Sequence, residues 1–223
     1  MIQRLSKRFW VIEKKLDDSL MNQLKQIIDG INRPTSRKMT KRLAGQLEDE
    51  YPIIYPTDVM NYINGSLMEY KDKINSYEKT YTTPTNYDIV KLAFRENQQW
   101  VNFQKKYEYN PFHRHSGDFS FVIWYKIPYT SEDEFREGPG QTRDNKNGSF
   151  SFLYDVAPGN IQEKSYKGDV SLEGTLLLFP ANLPHIVYPY FSTDKERISF
   201  SGNLFLETDY RKLKKSGTKK ALI

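Results

Sequence analysis

The sequence predicts an α+β protein in which an antiparallel sandwich or barrel of short strands is buttressed by helices at its N-terminal end. Two observations carry that expectation. Apolar residues recur at helical intervals through the first third of the chain and then, from Trp100 onward, give way to short runs rich in aromatic and β-branched side chains. Rings also carry much of the hydrophobicity: 16 Tyr, 13 Phe and 3 Trp make up 14% of the 223 residues, which favours strands and a packed core over disorder. That length suits one substantial core with an elaboration.

Taken in order, Leu16, Leu20, Leu24, Ile27, Ile28 and Ile31 are spaced as one face of a helix, with Asp17 or Asp18 as its cap and Gly30 near its end. Val59, Ile63, Leu67 and Ile74 repeat the pattern after Pro56, with Thr57 or Asp58 as the cap and Gly65 as a weak point. Arg33 to Arg42 reads as a basic loop between them. A third, short helix is expected from Tyr87 to about Glu96. Strands are expected at Trp100 to Tyr109, Asp118 to Pro128, Ser149 to Val156, Gly174 to Pro180, His185 to Tyr190 and Arg197 to Phe205. Gly, Pro, Asn and Asp separate them, and Glu137 to Gly148 is the most turn-like connection.

Composition removes several chemistries. The chain has no cysteine, so disulfides, thiolate-bound zinc, iron–sulfur clusters and a cysteine nucleophile are excluded, and any metal must sit on His, Asp or Glu. No Walker loop or nucleophile elbow is present. Met1 to Trp10 is basic and lacks the apolar stretch of a secretory signal or membrane span, so a cytoplasmic protein without membrane contact is expected. The net charge of +5 comes from the end of the chain. Residues 211–223 hold six Lys or Arg and no acid, against 27 basic and 28 acidic residues elsewhere. A nearly neutral body with a basic, flexible tail argues against a folded nucleic-acid groove.

All three histidines, His113, His115 and His185, fall in the strand-rich part. His113 and His115 are two apart, so on an extended strand they share a face and could share a cation. His185 follows the turn from Pro180 to Pro184, where a neighbouring strand could return it to the same point. Ordinary strand and loop histidines are the bland alternative, and the concentration of every histidine in two strand-edge motifs favours the metal. Arg197 and Ser199 then share one face of the last strand, a guanidinium fork and a hydroxyl able to hold a carboxylate inside a barrel.

These residues carry a resemblance. Trp100-Val-Asn102, Asn110 to Gly117 leading into Phe121 to Tyr125, Gly174 to His185, and Arg197-Ile-Ser199 make residues 98–206 resemble the iron(II)- and 2-oxoglutarate-dependent oxygenases, especially a prolyl-hydroxylase-like branch found in phages and marine bacteria. The resemblance implies a double-stranded β-helix (jelly-roll) barrel as catalytic core over 98–208, with an N-terminal helical extension over 1–97 and the basic tail over 209–223. It implies Fe(II) on His113, His115 and His185, with His115 standing where most of the family has an aspartate. Asp118 could supply that carboxylate instead, given a bulge at Gly117. Arg197 and Ser199 would hold the cosubstrate 2-oxoglutarate. Asn102 and Tyr125 are expected beside it and Asn203 facing the pocket, while Tyr107, Tyr109 and Trp124 are wall or packing aromatics.

The implied activity is O2-dependent hydroxylation of a small-molecule or protein substrate, in the host cytoplasm if the gene is a phage's. Two competing readings are a cupin-like three-histidine metal protein without 2-oxoglutarate and a non-catalytic assembly or virion barrel.

Overall fold

The structure is a computed structural model and describes residues 1–6, 9–36, 38–39, 45–70, 73–74, 92–93, 98–140 and 142–206. Among these, twelve strands form two antiparallel sheets. The first segment holds β1 (Ile2–Arg4), β2 (Trp10–Lys15), α1 (Asp18–Gly30), β3 (Glu50–Pro52) and α2 (Thr57–Glu69). After β4 (Leu92–Ala93) come β5 (Gln99–Gln104), β6 (Asn110–His113), β7 (Phe119–Lys126) and the short α3 (Ser131–Glu137). The remaining strands are β8 (Phe150–Ala157), β9 (Asn160–Tyr166), β10 (Thr175–Pro180), β11 (His185–Val187) and β12 (Arg197–Leu206).

The large sheet runs β1-β2-β10-β7-β12-β5-β3, with β4 also on β12, and the small sheet runs β6-β11-β8-β9. From β5 to β12 the chain alternates between the sheets except at the β8–β9 hairpin, which stays within the small sheet. Period-two alternation gives the large sheet two different faces. Phe119, Phe121 and Ile123 of β7, Leu176 and Leu178 of β10, and Phe200 and Leu204 of β12 pack with Leu20 and Leu24 of α1 and Val59, Ile63 and Leu67 of α2. Val122, Trp124, Leu177 and Phe179 point the other way, against Phe150 and Phe152 of the small sheet. Each apolar stripe therefore finds a partner layer.

The helices form for the reasons read from their spacing. Asp17 caps α1, its carboxylate accepting from the Leu20 amide at 2.9 Å. At α2 the cap position falls on Pro56, and Thr57 and Asp58 lie in the first turn without a side-chain cap. That helix ends at Glu69, short of Ile74.

Three features depart from the sequence expectation. The N-terminal segment is more than helical: β1, β2 and β3 join the large sheet, with Leu176 of β10 opposite Lys14 and Glu50 of β3 opposite Asn102. In the range 87–96, Leu92–Ala93 is a strand paired with Phe205 and Leu206 rather than helix, and the rest lies outside the described residues. Between β7 and the turn-like connection Glu137–Gly148 the structure adds α3, where no element was expected, and its capping box joins Thr130 and Asp133. The basic tail over 209–223 also lies outside the described residues. No helix among the described residues is long and apolar enough to cross a membrane.

Candidate metal and cosubstrate site

The three histidines meet. His113 ends β6 and stands directly opposite His185, the first residue of β11, while His115 lies just beyond β6. Ring centroids are 4.2 Å apart for His113 and His185 and 5.0 Å for each of the other pairs. Two main-chain bonds tie the turns that carry them: the His115 amide donates to Ala181 O at 2.8 Å and the Ala181 amide to Asp118 O at 3.1 Å.

Hydrogen bonds to carbonyls set the tautomers. His113 Nδ1 lies 2.7 Å from Pro111 O and His185 Nδ1 lies 2.9 Å from Leu183 O. A carbonyl can only accept, so each Nδ1 carries the hydrogen and each Nε2 keeps its lone pair. His185 Nε2 is 3.2 Å from His115 Nε2, a contact that needs either a hydrogen on His115 or a shared cation. Two nitrogens bound at about 2.0–2.1 Å and at right angles to one ion would be about 3 Å apart, so the spacing suits adjacent ligands of a single metal. Burial is the first cause that keeps the rings neutral. His113 is pushed below the ordinary imidazole value, His115 to about 3, and His185, fully enclosed and beside the other two, well below it. The donor set fits a divalent ion. Within one ligand cluster the structure brings together His113, His115 and His185 and no carboxylate among the described residues, while Asp118 is exposed.

The same cavity continues to the other predicted residues. It has about 530 Å³ of empty space, its mouth included, and its lining contains the three histidines with Asn102, Arg197 and Ser199. β5 and β12 present them in register, Arg197 opposite Gln104 and Ser199 opposite Asn102. Arg197 is 3% exposed, and its donors end on uncharged groups. Nε donates to Gln104 Oε1 at 3.0 Å, Nη1 to Tyr129 Oη at 2.7 Å and Gly148 O at 2.6 Å, and Nη2 to Tyr188 O at 3.3 Å and also to Gln104 Oε1. Among the described residues no carboxylate pairs with this guanidinium, so its buried charge is met by neutral oxygens alone. Asn102 Nδ2 donates to Ser199 Oγ at 3.1 Å, while its Oδ1 has no partner among the described residues.

Other predicted residues fall elsewhere. Tyr125 lies on the helix-facing side of β7, its ring 5.9 Å from that of Phe200, and alternation brings its neighbour Trp124 to the cavity instead. Asn203 is buried between Ser120 and Gln98, and Tyr107 and Tyr109 are exposed. Gln104 and Tyr129 were missed. Gln104 could have been found by counting two residues on from Asn102, whereas Tyr129 lies outside the strands and has no comparable signal. Gly148 serves Tyr129: it sits at φ 66°, and a Cβ there would come within 2.6 Å of the tyrosine ring.

Residues 98–203 match a family described as "Putative 2OG-Fe(II) oxygenase". Among solved structures, the crystal structure of a Pseudomonas putida prolyl-4-hydroxylase is similar, with a TM-score of 0.50 and 12% identity over 89% of this chain and 93% of that one. At that identity the likeness concerns the fold, and the two antiparallel sheets are consistent with its jelly roll. No curated protein matches the chain.

Proposed function

We propose, from the match of residues 98–203 to the family described as a 2OG-Fe(II) oxygenase, that the chain is a non-haem Fe(II)- and 2-oxoglutarate-dependent dioxygenase. It hydroxylates a small molecule or a protein, a protein side chain being one candidate. One oxygen atom goes to the product and one to succinate as 2-oxoglutarate loses CO2. In this reading the catalytic core is the double-stranded β-helix assigned to 98–208, and from the segment before it α1 and α2 cover the outer face of the large sheet. The observation that carries the reading is a single cavity holding three neutral imidazoles and a buried guanidinium with no acidic partner.

Each residue has a role that its surroundings support. The Nε2 atoms of His113 and His185, held inward by their Nδ1–H bonds, and the ring of His115 hold the metal. An Fe(II) ion there would supply the site at which the keto acid chelates and oxygen is reduced. Three neutral donors leave the ion its full charge, which favours an anionic chelate. Arg197, Ser199 and Asn102 bind the distal carboxylate of 2-oxoglutarate, Arg197 turning part of its fork from Tyr129 and Gly148 to do so. Trp124, Phe150 and Phe179 also line the cavity, the last two with ring centroids 5.3 Å from that of His185, and help to keep water from it.

Anaerobic addition of Fe(II) and 2-oxoglutarate to the metal-free protein should give the weak visible charge-transfer band of the chelate, and oxygen should then yield succinate. Absence of the band together with no affinity for either component rejects the assignment. One observation favours a second reading, a cupin-like three-histidine metal protein: protein groups already occupy the donors of Arg197. Metal binding that is indifferent to 2-oxoglutarate would select it.

A further inference from the structure

Beside the cosubstrate pocket lies a carboxyl that the proposed chemistry does not use. Glu50 of β3 is fully buried, both its oxygens lack a hydrogen-bond partner among the described residues, and it stands directly opposite Asn102 across the β3–β5 pair. Side chains so placed lie on one face with Cβ atoms about 4.5–5.5 Å apart. Asn102 carries its own unpartnered atom, since Nδ2 donates to Ser199 Oγ and Ser201 Oγ while Oδ1 receives nothing. On that shared face three acceptor oxygens, two of Glu50 and one of Asn102, receive no hydrogen from the described residues.

Among the described residues no cation pairs with an ionised Glu50. Asp49 of the same segment pairs with Arg33, Lys38 and Lys105. From β5 the neighbours are the amides Asn102 and Gln104, and from β12 Arg197 is committed to Gln104, Tyr129 and two carbonyls. The charged group acting on Glu50 among the described residues is the like-charged Glu108, and burial, reinforced by it, pushes the carboxyl up to about 7.

We propose that Glu50 is a positioning residue, a neutral carboxylic acid whose O–H donates to Asn102 Oδ1 and so holds the Asn102 amide, with Ser199, toward the 2-oxoglutarate carboxylate. This role rests on the oxygenase reading. Ionisation reverses the preference: a carboxylate can only accept, so it draws Asn102 Nδ2 to itself and turns Oδ1, an acceptor, toward the anion.

The test uses the full chain and three readouts. Infrared difference spectra of the metal-free protein should show a protonated carboxyl that fades as pH rises through about 7 and is missing in Glu50→Gln. With a redox-inert divalent metal bound, 2-oxoglutarate affinity of the wild type should fall by up to about tenfold per pH unit above that point. Glu50→Gln, which keeps a donor, should bind as the wild type does at low pH and lose the pH dependence. Glu50→Met, which fills the space without a donor, should bind about tenfold more weakly at every pH. Melting temperatures check folding. The wild type should lose stability relative to Glu50→Gln as pH rises from the ordinary carboxyl range through about 7.

A missing protonated-carboxyl band, or Glu50→Met binding as tightly as wild type, overturns the proposal. A band that persists in a wild type unable to bind 2-oxoglutarate overturns the oxygenase reading and the positioning role with it, leaving a protonated Glu50 as a feature of the core.

Discussion

The two faces of β12 are both buried, yet they are chemically opposite. Ile198, Phe200 and Leu204 point to the helices and make an ordinary core, whereas Arg197, Ser199, Ser201 and Asn203 point into the space between the sheets. β5 repeats the contrast, with Val101 and Phe103 outward and Asn102 and Gln104 inward. Burying polar groups is unfavourable unless each finds a partner. An inner face so polar, and still short of partners at Asn102, is what a ligand would complete. The outer face needs nothing further. Stability therefore resides on one side of the strand and the candidate chemistry on the other.

The largest effects should come from the inner side. His185→Ala should abolish metal-dependent succinate formation and remove Fe(II) binding by calorimetry while the far-ultraviolet dichroism stays the same. Arg197→Lys keeps the charge and loses the fork, so it should weaken 2-oxoglutarate binding by about 100-fold and leave the metal in place. The contrast between the faces breaks if Arg197→Lys loses metal, or if it leaves 2-oxoglutarate affinity unchanged.

On the outer side, Phe200→Ala should lower stability by about 3–5 kcal/mol through transfer and cavity terms. Denaturant titration reads that loss, and the fraction still folded should bind Fe(II) normally. A pH series sharpens the comparison next. His185 is held neutral in the folded chain and titrates near 6.5 when unfolded, so the folded state binds fewer protons below that value. Metal-free wild type should match its stability relative to His185→Phe above about pH 6.5 and lose up to about 1.4 kcal/mol per unit below it. A flat difference would mean that the imidazole is solvated. The smallest effect belongs to a helix end far from the cavity: Asp17→Ala should cost about 1 kcal/mol in thermal melts and leave both ligands' affinities alone.

Much of the contrast was legible because strands have a strict period. Arg197 and Ser199 had to share a face, and the whole histidine complement lay in two short motifs, so their meeting needed only that the two motifs pair. The same parity separates Trp124 from Tyr125, since one of two adjacent residues must face away, and the structure turns Tyr125, which the resemblance set beside the cosubstrate, to the helices. β2 was missed because Trp10, Val11 and Ile12 form an apolar run too short to separate from its charged flanks. β9 was missed because Asn160–Tyr166 is a largely exposed strand at the edge of the small sheet, written almost wholly in polar residues. α3 had a readable signal, Thr130 three residues before Asp133, hidden in a stretch dominated by acids. Glu50 had none, since its burial depends on β3 joining β5, a long-range pairing with no local trace.

The crossed amide–carbonyl bonds between the 115–118 turn and Ala181 have a bearing on how the centre is filled. Because peptide groups already clasp the two turns that carry the histidines, the rings would stand in place before any ion of the proposed centre arrives. Loading should then be quick and reversible, a chelator should leave the architecture standing, and a rival divalent ion of similar radius should slip into the vacated nest without refolding the chain around it.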